Sequence, residues 1–127
     1  MTTKSRKIFI DSSILIAFID RGDPNHLKAA KAIEDMASLG FQLYTSAQII
    51  SDSYIILSKN VSATIAMEFL QTILQSSIKI LFPQRADLTT ANRILKVNRE
   101  RQISLNEAVN ATLMQKTGIV QILTFNY

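Results

Sequence analysis

Short apolar runs alternate along the chain with longer segments whose apolar residues recur at helical spacing. The short runs are rich in β-branched and aromatic side chains, which is typical of buried strands. They predict four strands, at residues 7–10, 41–44, 78–82 and 120–125. Because a helical segment separates each strand from the next, we expect right-handed crossovers and a mostly parallel sheet. The pattern therefore predicts an α/β fold, a three-layer α/β/α sandwich around a sheet of about four strands.

The segments between the strands predict helices with recognisable ends. They span residues 14–20, 24–39, 46–59, 63–75, 87–101 and 105–117. Asp23 followed by Pro24 is a typical helix start, and Gly40 and Gly118 are typical helix stops. In the helix that begins at Pro24 we expect four residues to face inward: Leu27, Ala30, Ile33 and Ala37.

The composition excludes several kinds of functional site. The chain has 127 residues, which is enough for one domain, and we place that domain at residues 1–127. It contains no cysteine and a single histidine, His26, which argues against a thiolate site or a multi-histidine zinc site. We interpret His26 as a surface or packing residue. A metal ion would have to be held mainly by oxygen, which favours Mg²⁺ or Mn²⁺.

The sequence shows no signal for export or for a membrane. Residues 1–7 are basic, but Asp11 interrupts the apolar stretch that follows them, so a secretory signal is not expected. No apolar run is long enough to span a bilayer. We therefore expect a cytoplasmic protein with no membrane partner.

Two acidic residues at predicted helix starts have both a structural and a functional interpretation. Asp11 ends the first strand and would be an N-cap for the next helix. Glu107 ends Ser104-Leu-Asn-Glu, a capping box in which the glutamate reaches back to the cap residue's N–H. In the functional interpretation both carboxylates lie at the carboxyl end of the sheet, where parallel sheets place their binding crevice.

A third acidic residue, Asp52, is predicted to lie within a helix. It shares a stripe with Ile49 and Ile56, and a carboxylate on an apolar face is costly unless a cation or another partner compensates its charge. The alternative is a rotated helix in which Asp52 sits at the edge of the buried stripe. In that alternative the core-facing residues are Ile50, Tyr54 and Leu57.

Together, Asp11, Asp52 and Glu107 could form one acidic site. Clustered carboxylates repel one another unless a cation neutralises them, so this cluster suits one or two divalent ions. The hydroxyls of Ser13 and Thr124 could orient Asp11 or a metal-bound water. The formal charge is +4, and outside these three acids 14 basic side chains stand against 7 acidic ones. An acidic site on a basic surface suits an enzyme that acts on a polyanion, although positive charge also serves solubility.

Five segments, in order, resemble the PIN-domain family, and in particular its VapC-like ribonuclease toxins. They are Ile-Phe-Ile-Asp-Ser-Ser-Ile at 8–14, His-Leu-Lys-Ala at 26–29, Thr-Ser-Ala-Gln-Ile-Ile-Ser-Asp at 45–52, Ile-Ser-Leu-Asn-Glu-Ala at 103–108 and Ile-Leu-Thr-Phe-Asn at 122–126. The resemblance implies a PIN-like sandwich and a Mg²⁺- or Mn²⁺-dependent site for RNA hydrolysis. It also implies a homodimer and, for a toxin, an antitoxin protein as partner.

The sequence departs from the family pattern at three site positions. Asp52 stands where glutamate is usual, Glu107 where aspartate is usual, and Asn126 where a fourth acid is usual. Asn126 can offer a carbonyl oxygen but no charge. The metal ligands are thus expected to be Asp11, Asp52 and Glu107, with Asn126 completing the catalytic set. The alternative is a PIN-like module that has lost catalysis and binds RNA or protein.

Other features have weaker functional interpretations. Four basic residues on one predicted helix form either a solvated face or a contact for RNA phosphates: Arg93, Lys96, Arg99 and Arg101. Tyr54 and its neighbours could pack against a second subunit. A receiver-like signalling domain fits poorly, because its phosphoacceptor should follow a central strand and the third strand here ends in Phe82-Pro83.

Overall fold

The computed structural model describes residues 6–125, in which a four-stranded sheet is entirely parallel. The strands are β1 (Arg6–Ile10), β2 (Phe41–Ser46), β3 (Lys79–Leu81) and β4 (Ile122–Leu123), in the order β3-β2-β1-β4. Phe9 of β1 pairs with Tyr44 on one side and with Ile122 on the other. The predicted α/β fold with a parallel sheet is therefore confirmed.

Helices connect the strands and pack against the sheet. They are α1 (Ser12–Ile19), α2 (His26–Ser38), α3 (Ala47–Asn60), α4 (Ala63–Gln75), α5 (Arg85–Val97) and α6 (Leu105–Thr117). Gly40 and Gly118 follow α2 and α6 with φ angles of 85° and 76°, which confirms both predicted helix stops. Within residues 6–125, no helix is long and apolar enough to cross a membrane.

Two apolar clusters hold the helices in place. The larger one joins the sheet to α1, α3 and α4, and it buries Phe9, Leu57 and Phe69 almost completely. The smaller one joins α5 to α6 through Ala91 and Val109. Each large buried side chain contributes about 1.5–3 kcal/mol of transfer free energy. The start of α6 lies across a cleft from β1 and β4, since Glu107 lines the same cleft as Phe9 and Ile122.

The inward face of α2 differs from the predicted one. Leu27 is 80% exposed and Ala37 is also exposed, so the prediction that they face inward is wrong. Ala29 is completely buried instead. Ala30 and Ile33, the other two predicted positions, are partly buried.

The start of α2 also differs from the predicted one. The Oδ1 atom of Asp23 accepts a hydrogen bond from the backbone N–H of Asn25 at 2.8 Å, so the helix begins at His26 rather than at Pro24. The Nδ1 atom of His26 lies 2.9 Å from the carbonyl oxygen of Ala17, which ties the first turn of α2 to α1. His26 is therefore a packing residue, as interpreted from the sequence.

β4 and α5 are both shorter than predicted. β4 has two residues, and Val120, which was expected to begin it, is 89% exposed. α5 ends at Val97 and a separate 3₁₀ turn, Arg99–Arg101, follows it. Gln102 then adopts a left-handed conformation with φ 52°, which stops helical continuation before α6.

Asp87 is a buried carboxylate that links the start of α5 to α6. Its Oδ2 atom accepts a hydrogen bond from the backbone N–H of Gln84 at 2.8 Å and lies 3.3 Å from the ammonium group of Lys116. The hydrogen bond from Gln84 lowers the pKa of Asp87 most, burial opposes this, and Lys116 lowers it further. The folded state thus favours the charged carboxylate.

We expect the melting temperature of Asp87→Asn to fall below that of the wild type at neutral pH. A lowered pKa adds stability that is complete above about pH 4 and is lost as the pH falls through the folded-state value. The difference between the two proteins should therefore shrink toward pH 3. Asp35→Asn is the control, because its exposed pair with Lys31 should contribute about 0.5 kcal/mol or less. Thermal melts from pH 3 to 7 test this, and a gap that stays constant with pH would contradict it.

Candidate active site

The carboxyl ends of β1 and β4 bring two polar residues side by side. Ile10 pairs with Leu123 in parallel register, so the next residues, Asp11 and Thr124, lie at the same edge of the sheet. The backbone N–H of Asp11 donates to the carbonyl oxygen of Leu123 at 3.0 Å. This edge is where parallel α/β sheets place their functional groups.

The Asp11 carboxylate is oriented by hydroxyl groups. Asp11 occupies the N-cap position of α1 with extended backbone angles, yet its side chain makes no cap hydrogen bond. Instead, its Oδ2 atom accepts a hydrogen bond from Thr124 Oγ1 at 2.8 Å, with Ser13 Oγ 3.5 Å away. Ser13 Oγ also lies 3.3 Å from Thr124 Oγ1 and accepts from the backbone N–H of Phe125 at 3.0 Å. The interpretation of Asp11 as a side-chain cap is therefore wrong.

Glu107 has its predicted structural role. The backbone N–H of Glu107 donates to Ser104 Oγ at 3.0 Å, and the backbone N–H of Ser104 donates to Glu107 Oε1 at 3.4 Å. This capping box begins α6. The same side chain also lines the cleft that contains Asp11. The structural and functional interpretations of Glu107 are therefore compatible.

The cleft lies between the edge of the sheet and α6 and has a volume of about 350 Å³. Asp11 and Thr124 lie on its sheet side, and Glu107 and Asn110 on its helix side. Four apolar or small residues complete its walls: Phe9, Ala111, Met114 and Ile122. Two negatively charged groups thus share a cleft with a hydroxyl and an amide.

Asp52 does not line this cleft. It is partly buried on α3, where its Oδ2 atom accepts a hydrogen bond from Asn106 Nδ2 at 2.8 Å. Its neighbours Ser53 and Leu57 are fully buried, so Asp52 lies at the edge of the buried stripe. Asn106 immediately precedes Glu107, which leaves Asp52 beside the same turn of α6. A single cleft holding all three carboxylates stays a prediction.

The donor chemistry of the cleft fits a hard divalent cation. Its oxygen donors are the carboxylates of Asp11 and Glu107 and the hydroxyl of Thr124, the ligand types that Mg²⁺ and Mn²⁺ prefer. The part of the chain that the structure describes contains no group of three acidic or histidine side chains close enough to hold a metal ion. The fit therefore rests on the two carboxylates that line the cleft, those of Asp11 and Glu107.

Two asparagines on α6 were missed by sequence analysis. Asn106 binds Asp52, and Asn110 lines the cleft one helical turn after Glu107. For Asn110 the available signal was its spacing from Glu107, because residues three apart on a helix share a face. Asn126, expected at the rim of the site, lies outside the described residues.

The arrangement defines a class of protein: a parallel α/β fold with an acidic cleft at the carboxyl edge of its sheet. A family model described as PIN domain matches residues 8–127. The chain therefore belongs to the PIN domain family, and the resemblance seen in the sequence is confirmed.

Solved structures share this fold. One is VapC20 of Mycobacterium tuberculosis, described as a sarcin-ricin loop cleaving toxin, with 23% identity and a TM-score of 0.83 over 94% of this chain and 89% of that one. Another is VapBC2 of Rickettsia felis bound to a DNA fragment from their promoter, with 15% identity and a TM-score of 0.69 over 94% of this chain and 88% of that one. No curated protein matches significantly.

Proposed function

We propose that this chain is a metal-dependent ribonuclease and the toxin of a toxin–antitoxin pair. The observation that carries the proposal is the pairing of Asp11 and Glu107 across one cleft at the carboxyl edge of the sheet, in a member of the PIN family. The toxin VapC20, which has the same fold, cleaves the sarcin-ricin loop, an observation that favours RNA as the substrate class here. The whole of residues 1–127 would form this one domain, acting in the cytoplasm.

The proposed site would hold Mg²⁺ or Mn²⁺ through Asp11 and Glu107. Asp52 would be a third ligand only after its side chain turns from Asn106 toward the cleft. A bound divalent ion supplies an activated water and neutralises the charge that develops on the attacked phosphate. The hydroxyls of Thr124 and Ser13 fix the orientation of the Asp11 carboxylate. The capping box holds Glu107 at the start of α6. These contacts, which exist without substrate, would hold Asp11 and Glu107 in place on the two sides of the cleft.

Incubation of the purified protein with labelled RNA tests the proposal. We expect endonucleolytic cleavage in Mn²⁺ or Mg²⁺ and none in EDTA. The second candidate is a non-catalytic RNA- or protein-binding module, which is favoured by the engagement of Asp52 with Asn106. RNA binding without cleavage in either metal would support that candidate. Co-expression with a small protein encoded beside this chain, followed by co-purification, tests the proposed antitoxin partner.

We further propose that the chain forms a homodimer through an apolar face on α3, α4 and β3. Two adjoining depressions on this face are lined by Tyr54, Ile55, Leu70, Leu74 and Phe82, among others. No charged side chain lines either depression, so two copies of a chain with net charge +4 would meet there without opposed like charges. Phe82 is 67% exposed and Leu74 64% exposed, as expected of an interface that a second copy covers.

Leu74→Glu is expected to convert this dimer to a monomer. Burying a carboxylate at an apolar interface costs several kcal/mol, enough to shift a micromolar dimer by two or more orders of magnitude. Val97→Glu, which adds the same charge at a position 83% exposed on α5, should leave the dimer intact. Sedimentation equilibrium measures both. A monomeric wild type, or a Leu74→Glu protein that still dimerises, would contradict the assignment of this face.

We also expect Asn126→Asp to strengthen Mn²⁺ binding by about 10-fold and to raise cleavage, because a fourth carboxylate adds ligand charge to the site. This prediction rests on the position of Asn126 in the sequence. Gln121→Asp, which adds the same charge at an exposed position before β4, is the control. Calorimetric titration with Mn²⁺ and cleavage assays test it. Unchanged affinity and activity would show that Asn126 does not limit the site.

A further inference from the structure

Asn110 is held in one orientation by α3 and the residue before it. Its Oδ1 atom accepts hydrogen bonds from Ser46 Oγ at 2.6 Å and from Gln48 Nε2 at 2.8 Å. Ser46 is fully buried and is the N-cap of α3, where its oxygen accepts from the backbone N–H of Ile49 at 3.2 Å. The hydroxyl proton of Ser46 is therefore left for Asn110. The opposite orientation of the Asn110 amide would leave the Ser46 hydroxyl without its acceptor. With Gln48 oriented as it is, its Oε1 buried without a hydrogen-bond partner, that orientation would also bring the two NH₂ groups together.

The other end of the amide is available to the cleft. The Asn110 side chain lines the cleft. Because its oxygen is turned toward Ser46 and α3, the NH₂ group faces the cleft. Within residues 6–125, no acceptor forms a hydrogen bond with Nδ2 of Asn110. Glu107 precedes Asn110 by three residues on the same face of α6, and Asp11 lies on the opposite side of the cleft.

An NH₂ group between two carboxylates has a specific chemical use. It cannot bind a cation, because its nitrogen carries two hydrogens and only donates hydrogen bonds. It can donate to a non-bridging oxygen of a phosphodiester, the anionic group that the carboxylates themselves would repel. Donors fixed in advance toward such an oxygen lose little free energy to reorganisation.

We propose that Asn110 is a substrate-binding residue that donates a hydrogen bond to a non-bridging oxygen of the phosphate to be cleaved. The inference rests on the proposed nuclease function and assigns this residue a role within it. Ser46 and Gln48 are then positioning residues, because they orient the amide without contacting the phosphate.

Asn110→Asp tests the proposal with minimal structural change. The aspartate keeps an oxygen that accepts from Ser46 and Gln48, so the melting temperature should stay close to that of the wild type. It replaces the two donors with an anionic oxygen that repels phosphate. We expect the KM for RNA cleavage in Mn²⁺ to rise by about 10-fold or more, the loss typical of a hydrogen bond to a charged group, with a smaller change in kcat. Asn92→Asp, on the exposed surface of α5, controls for the added charge.

A direct binding measurement keeps the test decisive. Fluorescence anisotropy with a labelled RNA oligonucleotide should show the same 10-fold weakening for Asn110→Asp, whether or not the protein cleaves. A wild type that binds RNA without cleaving it would refute the nuclease function but still report on Asn110. Should Asn110→Asp fail to fold, Asn110→Ala is measured in the same way. Unchanged KM and unchanged RNA affinity, or a gain in Mn²⁺ affinity as the only effect, would overturn the assignment.

Discussion

Glu107→Gln is expected to lower RNA cleavage by about a hundredfold or more while leaving the melting temperature unchanged. Glutamine keeps an acceptor for the backbone N–H of Ser104, and the backbone N–H of residue 107 still donates to Ser104 Oγ. Glutamine is accepted at this position of a capping box, so α6 should begin as before. What is lost is one of the two charges in the cleft, and with it a metal ligand. Loss of even an outer-sphere partner commonly costs 10- to 100-fold, and a ligand should cost at least as much.

Ser104→Ala is the matched opposite of this change. It removes the cap oxygen of α6 and should cost about 1 kcal/mol of stability, but it leaves the Glu107 carboxylate in place. Activity per folded molecule should stay within a few-fold of the wild type. The two variants together separate the structural role of the capping box from the proposed catalytic role. A Glu107→Gln protein that cleaves normally per folded molecule, whether or not it melts early, would show that Glu107 serves only the helix.

Asp11→Asn is expected to weaken Mn²⁺ binding by about 10- to 100-fold or more, since it removes the carboxylate on the sheet side of the cleft. Asparagine can still accept from Thr124 Oγ1, so the local hydrogen bond should survive. Without metal, the variant should be as stable as the wild type or more stable, because it relieves repulsion between carboxylates. Calorimetric titration and thermal melts measure the two effects.

The control for this titration is Glu34→Gln, which removes one negative charge from the exposed surface of α2. It should bind Mn²⁺ as the wild type does. Equal losses of Mn²⁺ affinity in both variants would mean that Mn²⁺ binding depends on the net charge of the protein rather than on a specific site. An Asp11→Asn protein that binds Mn²⁺ normally would place the ion elsewhere.

The strands and helix stops could be predicted because their causes are local. The apolar run at residues 8–10 of β1 is buried throughout, and a glycine such as Gly118 ends a helix by adopting positive φ. The face of α2 could not be predicted, because its rotation depends on the contact between His26 and Ala17 on another helix. The periodicity of the segment alone favoured Leu27 as an inward position and carried no information on that contact.

In the candidate site, too, local features could be predicted and contacts between distant elements could not. Asp11 could be placed at the edge of the sheet because it directly follows a strand. Its hydrogen bond with Thr124, 113 residues away, was anticipated only as a general supporting role. The pairing of Asp52 with Asn106 and the orientation of Asn110 by Ser46 could not be inferred, because each joins α3 or the residue before it to α6. Contacts between distant elements depend on packing, and short-range sequence patterns do not carry that information.

The central claim is that the cleft between Asp11 and Glu107 cleaves RNA with a divalent ion. The most direct measurement is the initial rate of RNA cleavage by wild type and Asp11→Asn, purified in parallel and titrated with Mn²⁺. We predict that the wild type cleaves in proportion to bound Mn²⁺, and that Asp11→Asn loses about a hundredfold or more at every Mn²⁺ concentration below saturation. Cleavage by Asp11→Asn at the wild-type rate and with the same Mn²⁺ dependence would contradict the claim.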